Sequence, residues 1–248
     1  MTVWLTTNLP KLVNRTSRWS VIFWIVLAFA LVGCKKSEPA LGYLPGDSQL
    51  YGVVPSVGRV LETLEAVEKR LPGSAGIRKA ALGWFGVEGS GEKALGRVGL
   101  GLDTDLVWTL NRGSAALAFG NVEASKLVPI LKKKMKAAGL SPTPGESGTV
   151  TFANAQGHLR ARLAETPAGL VVLAWSLVPE GRGPAPVPGL TAEAALEGAV
   201  RAWNTKRGDP VVVPGDALLW LRRTANASTM SAPAEIRSFL NMVPSGEF

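Results

Sequence analysis

Two residue types that carry much of protein chemistry are nearly absent from this chain. Cysteine and histidine occur once each in 248 residues, as Cys34 and His158. A disulfide and a cysteine-based zinc site each need at least two sulfurs, so both are excluded within one chain. A single histidine also removes most histidine-dependent metal sites, and we expect no metal or other cofactor.

Acidic residues are missing from the first 34 positions, where Lys11, Arg15 and Arg18 supply the only charged side chains. Thirteen uncharged residues, 21–33, follow this basic leader. A helix of that length rises about 20 Å, which is less than the roughly 30 Å of a bilayer's hydrocarbon core. A basic start, a short apolar run and a small residue at its end are the parts of a secretory signal peptide.

Positions 31–34 read "LVGC", which resembles the lipobox of bacterial lipoproteins: an aliphatic residue, a variable one, a small one and cysteine. The resemblance implies that Cys34 receives a diacylglyceryl group and that a dedicated peptidase cuts between Gly33 and Cys34. We therefore expect a signal peptide over residues 1–33, a lipidated tether over 34–42 and a single domain over 43–248. The implied partner is membrane lipid, since two acyl chains anchor a protein stably.

The residue after the cysteine bears on which membrane is involved. In the enteric lipoproteins an aspartate at this position retains the protein at the inner membrane, whereas this chain has Lys35. The resemblance thus implies the outer rather than the inner membrane of the bacterial cell envelope. One alternative stays open, an uncleaved, membrane-anchored accessory subunit in which Cys34 is a buried free thiol.

The basic excess is small once the leader is set aside. The whole chain has a net charge of +8, and the part from Lys35 onward carries 24 basic and 19 acidic side chains, a net charge of +5. So mild an excess does not favour nucleic acid as a partner.

Hydrophobic periodicity predicts strand pairs separated by helices in the rest of the chain. The spacing of Val57, Leu61 and Leu64 predicts a helix over 57–71 with Ser56 as its N-cap. Predicted along with it are a strand at 48–54, a helical stretch at 77–98, a hairpin around the loop 111–113, a helix within 123–140, a three-stranded meander within 148–176, a helix at 191–204, strands at 211–213 and 217–221, and a helix at 232–242. This order predicts an α+β fold, an antiparallel sheet with helices packed on one face.

Positions 44–48 read "LPGDS" and precede the first predicted strand and helix. This arrangement resembles the opening, Leu-Pro-x-Asp-[Ser/Thr], of an uncharacterised family of bacterial envelope proteins. The resemblance implies no catalytic residues.

Three basic residues, His158, Arg160 and Arg162, alternate with apolar ones along a predicted strand. Side chains on a strand alternate between its faces, so all three share one face, where a phosphate or sulfate could bind among them. The simpler interpretation is a solvated face of the sheet. The lysines at positions 126, 132–134 and 136 leave the same choice, between a patch for anionic lipid or polysaccharide and a solvated helix face.

Two stretches resemble catalytic or metal motifs and fail in detail. In "GVEGSGEKA", positions 86–94, Glu92 stands where a phosphate would lie, and no Ser or Thr follows Lys93. Asp103 and Asp105 in "LDTD" lack the further oxygen ligands of a calcium loop. We therefore predict a protein that binds an envelope protein or polysaccharide, or supports the envelope, and that is not an enzyme. A hydrolase without a short motif is the alternative.

Overall fold

An antiparallel sheet dominates the computed structural model, which describes residues 37–71, 76–83, 85–87, 91–111, 113–145, 148–157, 159–178, 189–208, 211–214 and 217–223. Its strands within these residues are β1 (Leu50–Val54), β2 (Asp105–Asn111), β3 (Ser114–Gly120), β4 (Ser141–Pro144), β5 (Val150–Ala153), β6 (Arg160–Glu165), β7 (Val171–Ser176) and β8 (Trp220–Arg223). Their order across the sheet is β4-β5-β6-β7-β3-β2-β1-β8, and all neighbours are antiparallel.

The described helices lie between the strand pairs. They are α1 (Val57–Arg70), α2 (Ile77–Gly83), α3 (Glu92–Arg97), α4 (Ala124–Ala137) and α5 (Ala192–Arg201), after a 3-10 turn at Ala40–Tyr43. The Ser56 and Thr191 side chains accept hydrogen bonds from the first-turn N–H groups of α1 and α5, which otherwise have no partner within the helix. In the part of the chain that the structure describes, no helix has the length and apolar character to span a bilayer.

The α+β class and the antiparallel sheet are confirmed. The hairpin β2–β3 and the meander β5–β6–β7 occur where the sequence predicts them. In the hairpin, Asn111 pairs with Ser114, and Gly113 in the loop has a φ of 75°. Glycine adopts that left-handed conformation without the steric cost of a Cβ atom, so it suits this position.

The expectation that helices pack on one face is wrong, because they cover both faces of the sheet. On one face, Leu127 and Leu131 of α4 pack in the same cluster as Phe119. On the other, Leu196 of α5 packs in a cluster with small strand residues, Ala116, Ala118 and Ala174. The central strands β3 and β7 are apolar at successive positions, so both of their faces need cover.

One of the predicted strands near the end of the described chain is absent, and another is shifted along the sequence. Residues 211–213 form no strand: Val211 and Val213 pack against the core and Val212 is 82% exposed, so the alternation exists without a strand partner. The strand predicted at 217–221 forms with shifted bounds as β8, Trp220–Arg223, which pairs with β1. β4 is not predicted, because Pro142 and Pro144 argue against a strand. It forms nevertheless, since it lies at the edge of the sheet and an edge strand tolerates proline. The predicted helix 232–242 lies outside the described residues.

The chain joins the domain earlier than the expected boundary at residue 43. We call residues 37–41 the entry segment. Ser37 exchanges two hydrogen bonds with Val122, N–H to carbonyl at 3.1 Å and N–H to Oγ at 3.0 Å. The Glu38 N–H donates to Ala168, and Ala40 is fully buried. The described part of the expected tether, from residue 37 to 42, is therefore part of the folded domain.

Gly120, the last residue of β3, provides a test of this docking. A Cβ atom at this position would overlap the Ala40 nitrogen and the Asp105 carboxylate. We expect Gly120→Ala to lower the free energy of unfolding by about 1–3 kcal/mol, as overpacking does. In Gly198→Ala, the matched control in α5, the new Cβ meets no described atom within 4 Å, so helix propensity should raise the same quantity by about 0.5–1 kcal/mol. Urea unfolding of both variants measures these changes, and equal effects would contradict the packing.

Candidate functional site

Arg160 and Arg162 lie side by side on the face of β6 that α5 covers. Both reach the same carboxylate: Arg160 Nη1 is 3.9 Å from Glu193 Oε2, and Arg162 Nη2 contacts Glu193 Oε1. The Arg162 side chain is 15% exposed and the Arg160 side chain 34%. The strand prediction thus places these two arginines on one face correctly, whereas His158 lies outside the described residues.

Glu193 belongs to the first turn of α5, next to the Thr191 cap. A carboxylate in the first turn of a helix is stabilised by the helix dipole, and here two guanidinium groups stabilise it as well. The cluster of Arg160, Arg162 and Glu193, which we call the clamp, therefore ties the start of α5 to β6. Because both guanidinium groups already pair with Glu193, an external anion would compete with this carboxylate for them. Binding of a phosphate or sulfate by this cluster stays a prediction.

A groove of about 790 Å³ opens beside the clamp, between α5 and the outer strands. We call it the arginine groove. Its strand side carries threonine hydroxyls, and its helix side carries charged and amide groups; the polar lining is Thr143, Thr149, Thr151, Arg160, Arg162, Glu193, Glu197, Arg201 and Asn204. Such a wall can form hydrogen bonds to a polar ligand, with the clamped arginines at its base.

A second cleft, of about 800 Å³, lies along the other side of α5. We call it the motif cleft, because the "LPGDS" turn and the following Gln49 form one of its walls. Leu44 of the turn is buried in the core, and the Ser48 hydroxyl donates to the Pro45 carbonyl at 2.9 Å. Asp47 is exposed and lines the cleft. The leucine and serine of the motif therefore hold the turn, and the aspartate faces the cleft.

The far wall of the motif cleft is formed by α5, which presents small residues there, among them Ala194, Gly198 and Ala202. The opposite wall contains Gln49 and Asn111, whose side-chain oxygens are buried without a hydrogen-bond partner among the described residues. Small residues leave room beside the helix, and unpaired acceptors favour a ligand that carries N–H or O–H donors.

Asp105, at the start of β2, has a structural role that the sequence analysis did not predict. Its carboxylate oxygens accept hydrogen bonds from the backbone N–H groups of Ala40, at 3.1 Å, and Leu41, at 2.9 Å. The residue is only 3% exposed. The sequence pattern "LDTD" offers turn chemistry and no sign of this anchor, since the two partners lie more than 60 positions earlier.

Burial raises the pKa of Asp105 above its ordinary value, and the charge of Asp103 adds to the rise. The two N–H groups of Leu41 and Ala40 act in the opposite direction, because they stabilise the carboxylate. Loss of water around the carboxylate outweighs these bonds, so the neutral acid is favoured more in the folded than in the unfolded chain.

The other predicted site residues are either solvated or beyond the described part. Lys126 Nζ lies 2.6 Å from Glu123 Oε2 and donates to the Gly96 carbonyl, and the lysines at 132–134 and 136 lie away from the buried face of α4, which favours a solvated helix face. Gly33 and Cys34 lie outside the described residues. Within the described ranges, no group of three or more His, Cys, Asp and Glu side chains is placed to hold a metal ion.

The clamp can be measured by a double-mutant cycle of Arg162→Ala and Glu193→Ala. Arg162 is mostly buried and Glu193 half exposed, so we expect a coupling free energy of about 1 kcal/mol. The control cycle uses Arg201 and Glu197, an exposed pair with a 4.0 Å separation, for which coupling should be below about 0.5 kcal/mol. Equal coupling in the two cycles, measured by urea unfolding, would show that Arg162 and Glu193 do not form the clamp.

A pH titration of stability tests the Asp105 anchor. An acid whose pKa is raised on folding loses its contribution to stability as the pH rises through the raised value. Asp105→Asn, which mimics the neutral acid, should therefore gain stability relative to the unmodified domain as the pH is raised from about 3 to 8. Asp105→Ala removes both acceptors and should cost about 1–3 kcal/mol at low pH, and this cost should fall as the pH rises, because this variant also lacks the titrating acid. If urea unfolding gave the same stability difference between Asp105→Asn and the unmodified domain at every pH, the raised pKa would be refuted.

No protein-family model and no curated protein matches this chain. Two crystal forms, IV and III, of a protein named TP0453 show a similarity that covers 86% and 82% of this chain and 71% and 67% of that protein. The sequence identity is 14% in both cases, and the TM-scores are 0.38 and 0.37. Similarity at that level supports no statement about the fold or the function of this chain.

Proposed function

We propose that this chain is a lipid-anchored protein of the bacterial cell envelope, whose α+β domain acts by binding or structural support rather than by catalysis. The observation that carries the proposal is the "LVGC" sequence at positions 31–34, directly after an uncharged run and a basic leader. Acylation of Cys34 supplies the anchor, because each buried CH₂ of an acyl chain contributes about 0.8 kcal/mol.

The folded domain begins only a few residues after the proposed anchor. Its first described residue, Ser37, is already hydrogen-bonded to the sheet, so the domain starts directly after the lysines 35 and 36. Two lysines at the level of the lipid headgroups each contribute about 1 kcal/mol next to an anionic surface. Lys35 in place of aspartate favours the outer membrane.

The binding role draws its support from the two clefts that flank α5. Each has a volume of about 800 Å³, which lies within the range of about 300–1,000 Å³ typical of ligand sites. Polar groups converge in both, and the motif cleft adds the acceptors of Gln49 and Asn111. An envelope protein segment or a polysaccharide, both rich in N–H or O–H donors, fits this chemistry.

Cys34→Ser tests the anchor. Cells that make the intact chain should incorporate an alkyne analogue of palmitate, and the mass of the purified protein should correspond to a chain that starts at an acylated Cys34. Cys34→Ser should lose both the label and the cleavage before residue 34, because the thiol is the acceptor of the first lipid. Lys35→Ala is the matched control and should keep both. An unmodified chain that retains residues 1–33 would contradict the proposal and favour an uncleaved anchor.

A further inference from the structure

The distance between the proposed lipid and the folded domain is limited by the chain itself. Cys34 precedes Ser37 by three residues, and three residues of fully extended chain span at most about 11 Å. Ser37 is 7% exposed and is fixed to Val122 by two hydrogen bonds. The Cα atom of Cys34, the residue that would carry the lipid, can therefore lie no farther than about 11 Å from that of Ser37.

Several loops meet at the end of the sheet where the entry segment docks, which we call the entry end. Asn121 links three of them: its N–H donates to Glu38, and its side chain donates to the Asp103 carbonyl in the loop before β2. Glu38 also donates to Ala168, in the turn between β6 and β7. Leu102, in the first of these loops, is 42% exposed, and Pro167, in the second, is exposed as well.

We infer that the entry end, with Leu102 and Pro167, lies against the lipid surface and that the domain stands on the membrane in this fixed orientation. The inference rests on the proposed acylation of Cys34. The occupant of this surface is a bilayer. Only Lys35 and Lys36 separate the proposed lipid attachment at Cys34 from Ser37, so the loops nearest Ser37 must stay close to the lipid headgroups.

The orientation decides what the motif cleft can meet. The "LPGDS" turn precedes β1, and Asn111 and Ser114 flank the β2–β3 hairpin loop, so this wall of the cleft lies at the end of the sheet opposite the entry segment. Strands of six or seven residues are about 20 Å long. The motif cleft is thereby presented roughly 20 Å from the lipid surface, toward partners in the surrounding compartment.

The single native cysteine makes the orientation measurable. An acylated Cys34 carries its sulfur as a thioether, so a cysteine introduced elsewhere is the one reactive thiol of the chain. Leu102→Cys and Pro167→Cys place a fluorescent thiol label at the entry end. Gln156→Cys, the matched control, lies in the exposed turn between β5 and β6 at the opposite end. Each acylated, labelled protein is inserted into phosphatidylcholine and phosphatidylglycerol vesicles that carry a headgroup spin label as quencher.

We expect severalfold stronger quenching at positions 102 and 167 than at 156. A flexible insertion of about 12 Gly and Ser residues between Lys36 and Ser37, whose ends are on average roughly 20 Å apart, should remove the difference. Equal quenching at both ends of the protein without the insertion would overturn the inferred orientation, while the acylated mass leaves the anchor intact. A difference that survives the insertion would overturn the short chain as its cause. A mass without acyl chains would overturn the proposed anchor and, with it, the orientation.

Discussion

The Asp105 carboxylate is the buried charged group that ties the entry segment to the sheet, next to the hydrogen bonds that Ser37 and Glu38 form. It accepts the N–H groups of Ala40 and Leu41 from a position that is almost without solvent. The two N–H donors stabilise the charged carboxylate, whereas its burial destabilises that charged form. The same contact turns a stretch that reads as a polar tether into part of the domain. The hydrogen bonds between Ser37 and Val122 shorten the proposed link to the membrane to three residues.

Helix α5 has a similar importance for the candidate sites. The carboxylate of Glu193 ties its first turn to Arg160 and Arg162 on β6, and its small residues face the "LPGDS" turn on the other side. Helix α5 packs on the sheet between the two clefts and forms one wall of each. Of the three residues that the sequence presents as a candidate anion site, Arg160 and Arg162 thus have a structural partner, and the more open polar surface of the arginine groove lies beside them.

The elements that follow local rules were predictable. Periodic apolar residues and a capping serine identify α1, and a short loop with glycine identifies the β2–β3 hairpin. The errors arise where distant partners decide. The alternation of Val211 and Val213 reflects burial without a strand partner, and β4 forms in spite of two prolines because it lies at an edge. The apolar residues on both faces of β3 and β7 indicate a sheet that is covered on both sides. Only the packing of α5 shows which helix covers the second face.

The sequence by itself determined the expected location of the protein, because a lipobox is a short linear pattern that can be recognised without the folded structure. It also determined the α+β class, since hydrophobic period and turn chemistry are local properties. Only the tertiary structure decided that the chain after residue 36 is docked, that Arg160 and Arg162 share Glu193, and that two clefts flank α5. Those features join residues tens of positions apart, and such contacts form only when burial of the sheet's two faces brings the segments together.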